Sequence, residues 1–287
     1  MEDQAQRLRE LVYSIQQKNE KKRTKIITVT SGKGGVGKTS LTVNLALALA
    51  KCGKSVVIVD ANFGFSNVNI LLGTNAKYDI GYVVRGDKRL EDVLEYCYEG
   101  VRFISGGAGV AELMDMDSGR LENLLGQLEK LERDTDYILF DTGAGMDNSI
   151  LRLMAASDET ILVLTPEPTS ITDAFVVLKT ASKLAERPPV RVIINKVASE
   201  KEALVTDVSF KRVVGKFLNY SIDLMGYVLF DELMTKSITA LVPHILKYPN
   251  SIAARQIHQI AYQYIHNDEG SGTGPRGFRG FLKRFVK

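Results

Sequence analysis

Residues 32–39 read Gly32-Lys33-Gly34-Gly35-Val36-Gly37-Lys38-Thr39, a G-x-x-x-x-G-K-[ST] loop with a second lysine directly after its first glycine. The run before it, Lys25-Ile26-Ile27-Thr28-Val29-Thr30, has the composition of a buried strand. The run after it, Ser40 to Ala50 (SLTVNLALALA), has the apolar density of a helix. Strand, glycine-rich loop and helix in that order are the context in which this motif cradles phosphates. The glycines let successive backbone N–H groups turn toward one anion, and the helix N-terminus adds its partial positive charge. Gly32, Lys33, Gly34, Gly35, Val36, Gly37, Lys38, Thr39 and Ser40 are therefore the candidate nucleotide-binding residues, with Lys38 expected at the β- and γ-phosphates and Thr39 expected as a Mg²⁺ ligand.

Lys33 narrows the class. The pattern Lys33-Gly34-Gly35-Val36-Gly37-Lys38-Thr39 resembles the deviant Walker A of the MinD/ParA/nitrogenase iron-protein group. The resemblance implies an ATPase whose extra lysine, here Lys33, crosses a dimer interface to the nucleotide on the other subunit.

Composition fits one large α/β domain with short appendages: 287 residues, 45% hydrophobic and 25% charged. A net charge of +3 is too small to argue for nucleic-acid binding. Cys52 and Cys97 are isolated thiols without C-x-x-C or metal-ligand spacing, and are expected to be reduced in the cytosol. The stretch before residue 25 is charged and lacks the apolar core of a secretory signal, and no run of 18 apolar residues exists to span a membrane.

Short apolar runs at Ile26 to Thr30, Ser55 to Val59, Val101 to Ile104, Tyr137 to Phe140, Ile161 to Leu164, Val190 to Ile194 and Tyr227 to Leu229 alternate with amphipathic stretches such as Leu121 to Leu131 and Ile171 to Leu184. This pattern predicts an α/β fold, a mostly parallel sheet with helices on both faces and functional residues beyond the C-terminal strand ends. Tyr137-Ile138-Leu139-Phe140-Asp141-Thr142-Gly143-Ala144-Gly145 meets that expectation: a strand ending in an acid, then a pliant loop. Asp141 is the candidate Walker B carboxylate and Mg²⁺ group, and the glycines suit a switch that senses the γ-phosphate.

Val59-Asp60-Ala61-Asn62-Phe63-Gly64 resembles the switch I of MinD-like ATPases, where the family pattern is Asp-x-Asp-x-Gly and the second acid orients the attacking water. Asn62 stands in that place. An amide positions water but takes no proton from it, which implies slow turnover. Asp60 is read as organising Mg²⁺-bound water and the switch. Asn195-Lys196 after Val192-Ile193-Ile194 begins the guanine-reading N-K-x-D motif, but position 198 is Ala, so the carboxylate that would hold guanine is missing. In the resembled group an asparagine here reads adenine, and Asp231 falls in its other base-contacting loop, with Leu229 in place of the usual proline. ATP is the expected nucleotide.

The two ends distinguish members of the group. After the polar linker 268–277, Phe278, Phe281, Leu282, Phe285 and Val286 fall on one helical face ringed by Arg276, Arg279, Lys283, Arg284 and Lys287. That reads as an interfacial membrane helix, the alternative being a helix docked on its own domain. Each large apolar side chain contributes ~1.5–3 kcal/mol on burial and each cation about 1 kcal/mol at an anionic leaflet. A helix this short does not form alone, so one copy should bind marginally and two firmly. At the other end, Ala5, Leu8, Leu11, Val12 and Ile15 form a stripe before the charged stretch Lys18 to Arg23. The expected organisation is an N-terminal peptide and linker (1–23), an ATPase domain (24–267), a linker (268–277) and a terminal helix (278–287).

With its N-terminal Asp3-Gln4-Ala5-Gln6-Arg7-Leu8-Arg9, the whole chain resembles the FlhG (YlxH, FleN) group of MinD-like ATPases, which govern the number and placement of bacterial flagella. The resemblance implies an ATP-bound homodimer on the inner face of the cell membrane. It also implies a peptide in which Gln4, Gln6, Arg7 and Leu8 serve activation of the FlhF-type signal-recognition-particle GTPase, and contacts with flagellar C-ring proteins of the FliM and FliN/FliY type. A MinD-type division-site regulator shares body and tail but not this peptide. A ParA-type DNA segregator would need a basic surface, and iron–sulfur carriers of the same fold need paired cysteines. A nucleotide-gated scaffold that does not hydrolyse is left open by Asn62.

Overall fold

A computed structural model describes residues 24–62, 68–98, 100–107, 109, 112, 118–184, 187–268 and 277–285. Eight strands form one sheet: β1 (Lys25–Ser31), β2 (Val56–Ala61), β3 (Leu94–Tyr96), β4 (Val101–Ser105), β5 (Tyr137–Ala144), β6 (Glu159–Leu164), β7 (Val190–Val197) and β8 (Ile222–Leu229). Their order across the sheet is β3-β4-β2-β5-β1-β6-β7-β8. All neighbours run parallel except β3, which pairs antiparallel with β4 at one edge.

The strand cores are where the apolar runs place them, because these strands are buried on both faces and so read as continuous Val/Ile/Leu segments. Two features were not legible. β3 has only three residues, none fully buried, and leaves no periodic trace. β8 begins five residues before the expected Tyr227 because Asp223 and Gly226 break its apolar run.

Twelve helices have described backbones. Against one face of the sheet lie α1 (Lys38–Lys51), α2 (Val68–Leu72) and α11 (Ile252–Asp268), which join Ile27, Val29, Ile58 and Leu139 in one core. The opposite face carries two groups. α3 (Ile80–Val84), α4 (Leu90–Val93) and α5 (Ser118–Arg133) cover Ile26, Val57, Val59 and Ile138, whereas α6 (Asn148–Ala156), α7 (Pro168–Ala181) and α8 (Glu200–Leu218) cover Leu162, Val192 and Ile194. α9 (Glu232–Thr239) and α10 (His244–Lys247) follow the C-terminal end of β8.

The last helix, α12 (Gly277–Phe285), forms as its periodicity predicts, and its surroundings are the surprise. Phe278, Phe281, Leu282 and Phe285, expected to face lipid, are at most 4% exposed, packed with Val57, Val59, Ile138, Phe140, Leu124 and Leu128. Phe281 stacks on Phe140 at 5.1 Å. The Arg284 guanidinium donates to the Ala156 carbonyl, closing the C-terminus of α6. In this state the apolar face belongs to the domain core; Val286 and the side chain of Lys283 lie outside the described residues. Among the described residues no helix is long and apolar enough to cross a membrane.

One glycine fixes how α11 meets the sheet: a Cβ on Gly226 of β8 would lie 2.5 Å from Ile260 Cγ1. Gly226→Ala should therefore lower the unfolding free energy by about 1–3 kcal/mol, as overpacking does. Ile260→Ala, which removes Cγ1, should cost less in that chain than in wild type, both read by urea denaturation.

Candidate functional site

Parallel order places β1 between β5 and β6, so the loop leaving β1 emerges beside the end of β5. This is where open α/β sheets build their sites. Register sets Val29 opposite Asp141 and Asp60 opposite Asp141, so two acids from β2 and β5 arrive at the same level.

The loop Gly32–Gly37 wraps the N-terminus of α1. A Cβ on Gly32 would overlap the backbone of Asp173 in α7, at 2.2 Å from its carbonyl carbon. Gly37 stands at φ +91, directly before Lys38, and a Cβ there would meet Asn195 Nδ2 at 2.4 Å. At Gly34 a Cβ would meet nothing within 4 Å, so that space is open to a ligand. Residues 33–37 of the loop, with Ser31, Lys38, Thr39, Ser40 and residues of β5, β7 and α9, line a cavity of about 530 Å³.

At its inner end the carboxylate of Asp141, 1% exposed, gathers three donors. Lys38 Nζ lies 3.0 Å from Oδ1, Thr39 Oγ1 2.7 Å from Oδ2, and Thr42 Oγ1 2.9 Å from Oδ1. Lys38, Thr39 and Asp141, which the sequence singles out separately, thus form one cluster. Thr39 and Asp141 offer hard oxygen donors of the kind Mg²⁺ takes alongside phosphate oxygens. The Lys38 ammonium on the same carboxylate marks the spot as one that already holds positive charge. Among the described residues there is no group of three or more His, Cys, Asp or Glu placed to hold a metal ion.

The second lysine behaves differently. Lys33 Nζ donates to Glu167 Oε2 and Thr169 Oγ1, both at 2.8 Å, at the rim of the site. Lys33 is 37% exposed, and its ammonium holds the Glu167 carboxyl below its ordinary range, with Lys196 adding a smaller pull. Glu167 and Thr169 were not singled out in the sequence; Thr165-Pro166-Glu167 carried no motif to mark them.

Asp60 is 2% exposed, and its carboxylate accepts from the backbone N–H of Asn62 (3.1 Å) and of Val68 (3.4 Å). These bonds tie the end of β2 to the start of α2. Asn62 lines the cavity, its Oδ1 lying 3.1 Å from where a Cβ of Gly143 would be; residues 63–67 lie outside the described residues.

On the base side, Asp231 and Asn195 both line the cavity and both bond within their own chain. Asp231 lines the cavity but serves as the N-cap of α9, accepting from Leu233 N at 2.9 Å. Asn195 Nδ2 donates to the Val36 carbonyl at 2.8 Å, and Lys196 Nζ to the Gly35 carbonyl at 2.7 Å, so both brace the phosphate loop. Beyond the Val36 bond Asn195 keeps a second amide N–H and Oδ1. Apolar walls come from Phe230, Met234, Ile238, Leu241 and Ile70. Sequence periodicity missed these because they are partly exposed, as residues that grip a ligand are.

A family model described as ParA, NUBPL iron-transfer P-loop NTPase, matches residues 22–265. The antiactivator FleN of Pseudomonas aeruginosa is 32% identical over 262 residues, covering 91% of this chain and 92% of that one. The flagellum site-determining protein YlxH of Helicobacter pylori is 30% identical over 293 residues, covering 100% and 99%. The chain belongs to the FleN/YlxH group of ParA/MinD-type P-loop NTPases. The fold of this FleN/YlxH-type chain also matches the septum site-determining protein MinD of Pyrococcus horikoshii complexed with Mg-ADP, with a TM-score of 0.65 and 26% identity, over 86% of this chain and 98% of that one.

Removing one partner from the buried Lys38–Asp141 pair strands the other charge. Asp141→Asn should destabilise the nucleotide-free FleN/YlxH-type chain by roughly 3 kcal/mol or more. Adding a nucleoside triphosphate should raise its melting temperature, since phosphates give Lys38 a new partner.

Proposed function

We propose that this protein is a Mg²⁺-dependent ATPase that dimerises on ATP, associates with the membrane through its C-terminal helix and controls the number and placement of flagella. One observation carries the reading. The two loop lysines part company, Lys38 lying inward on Asp141 and Lys33 held at the rim by its own chain's Glu167 and Thr169. A cation held at an open rim is available to phosphates brought by a second subunit. The missing carboxylate at position 198, where a guanine-reading motif would need one, supports ATP as the nucleotide.

In the reaction, Lys38 would neutralise β- and γ-phosphate charge, and Thr39 and Asp141 would hold Mg²⁺, whose charge would offset the negative charge that develops on the phosphates. The glycines of the loop donate backbone N–H groups to the phosphates. Asp60 holds the switch I backbone, and Asn62 orients the water; with no carboxylate in its place, turnover is slow.

The docked C-terminal helix gives membrane binding a built-in control. Its apolar face is satisfied by the domain, and Phe281 rests on Phe140, the residue before Asp141. Movement of β5 and its switch loop therefore bears directly on the helix. Released in pairs from an ATP dimer, two such helices bind an anionic leaflet far better than one. The relatives' names, antiactivator FleN and flagellum site-determining protein YlxH, support the flagellar role. FlhF-type GTPase and FliM and FliN/FliY-type C-ring proteins are the proposed partners, the first through Gln4, Gln6, Arg7 and Leu8, which lie outside the described residues.

In analytical ultracentrifugation with MgATP, the full chain should shift from monomer to dimer and Lys33→Ala should not, though Lys38 keeps some nucleotide bound. On the same samples, only the dimer should float with anionic vesicles, and deletion of residues 277–287 should abolish flotation. A Lys33→Ala chain that dimerises normally would sink the reading. Separately, a peptide of residues 1–23 should accelerate GTP hydrolysis by an FlhF-type partner and Leu8→Asp should remove the effect; stimulation by the full chain alone would place the activator elsewhere.

A further inference from the structure

Three side chains hold the Asp141 carboxylate, and two of them have other work. Lys38 and Thr39 belong to the phosphate loop and line the nucleotide cavity. Thr42 does not line it: it lies one helical turn further along α1, fully buried. Its hydroxyl has a single proton and two acceptors in reach, the Lys38 carbonyl at 3.0 Å and Asp141 Oδ1 at 2.9 Å. Bonding back to the carbonyl four residues earlier is the ordinary use of a threonine inside a helix. A carboxylate is the stronger acceptor, because a hydrogen bond to an ionised group is roughly twice as strong as one to a neutral group.

We infer that Thr42 is a positioning residue that keeps Asp141 aimed at the metal while Lys38 and Thr39 serve the nucleotide. The inference rests on the MgATP reading above. Once Lys38 turns to the phosphates and Thr39 to the ion, Asp141 loses both of its loop donors. The hydroxyl of Thr42 remains, fixed by a helix that packs against the sheet and covered from water. It restrains Oδ1 and leaves Oδ2 for the ion's shell, the way an outer group orients a metal-binding carboxylate. No other residue of α1 beyond the loop donates to this carboxylate among the bonds described. The sequence gives no hint, since a threonine in a run of apolar helix residues reads as filler.

The test separates positioning from packing. Full-length wild type, Thr42→Val and Thr42→Ser are titrated with a non-hydrolysable ATP analogue by calorimetry, first with excess EDTA and then across a Mg²⁺ series. Valine keeps the shape and drops the donor; serine keeps the donor. Thr42→Val should need roughly tenfold more Mg²⁺ for half of the affinity gain, as befits losing a hydrogen bond to a charged group. Its affinity in EDTA should stay within about twofold of wild type, and Thr42→Ser should follow wild type throughout. Should the valine chain fail to fold, Thr42→Ala carries the same comparison. An unchanged Mg²⁺ requirement in the valine chain would overturn the assignment. So would an equal loss of affinity with and without metal, which is the mark of a packing defect. A wild-type chain whose affinity ignores Mg²⁺ would instead bring down the MgATP reading itself.

Discussion

The contact between Lys38 and Asp141 is the constraint on which the rest of the site depends. A lysine from the loop after β1 and an acid from the end of β5 meet at 3.0 Å, both almost wholly buried. Two such charges are tolerated away from water only because each satisfies the other and Thr39 and Thr42 complete the carboxylate's hydrogen bonds. The pairing of β1 with β5 brings them together, and that pairing exists because the chain crosses the sheet between β4 and β5 to enter beside β1. A polar pair inside an apolar sheet end also explains why the loop needs its glycines: the backbone must curl over the pair without side chains filling the phosphate space.

From this centre, structure spreads in two directions. Toward the rim, Asn195 and Lys196 bind the carbonyls of Val36 and Gly35, so β7 supports the phosphate loop from behind while Lys33 is detained by Glu167 and Thr169. Toward the opposite sheet face, Asp141 sits next to Phe140 in the same strand, and alternation sends the Phe140 ring to the other side, where Phe281 stacks on it. A single peptide unit thus separates the nucleotide chemistry from the groove that holds the C-terminal helix. Arg284 adds a second tie, to the end of the helix that follows the switch loop. The tail rests on the residue next to Asp141 in β5, so each is placed where it can feel the other.

The fold and the phosphate loop were legible in the sequence because they rest on local signals. Strands buried on both faces are written as Val/Ile/Leu runs, and a glycine-rich turn before a helix has few other uses. The helical periodicity of residues 278–285 was equally plain, and α12 is there. What local pattern could not say is which surface the apolar face meets. A lipid leaflet and a groove lined by Val57, Val59, Leu124 and Phe140 reward the same spacing, because burial is indifferent to what does the burying.

Residues whose roles depend on orientation were the least readable. Asn195 and Asp231 were marked by position in a motif, and both do reach the cavity. Only the folded chain shows that one spends its amide on the Val36 carbonyl and the other caps a helix. Thr42, Glu167 and Thr169 gave no signal at all, since their partners lie 99 to 136 residues away along the chain. The sequence by itself determined the sheet, the loop and the amphipathic end, which are properties of runs of neighbouring residues. The tertiary structure decided who holds Asp141, who holds Lys33 and where the last helix rests, because a hydrogen bond or a buried ring is set by distances that only the packed strands establish.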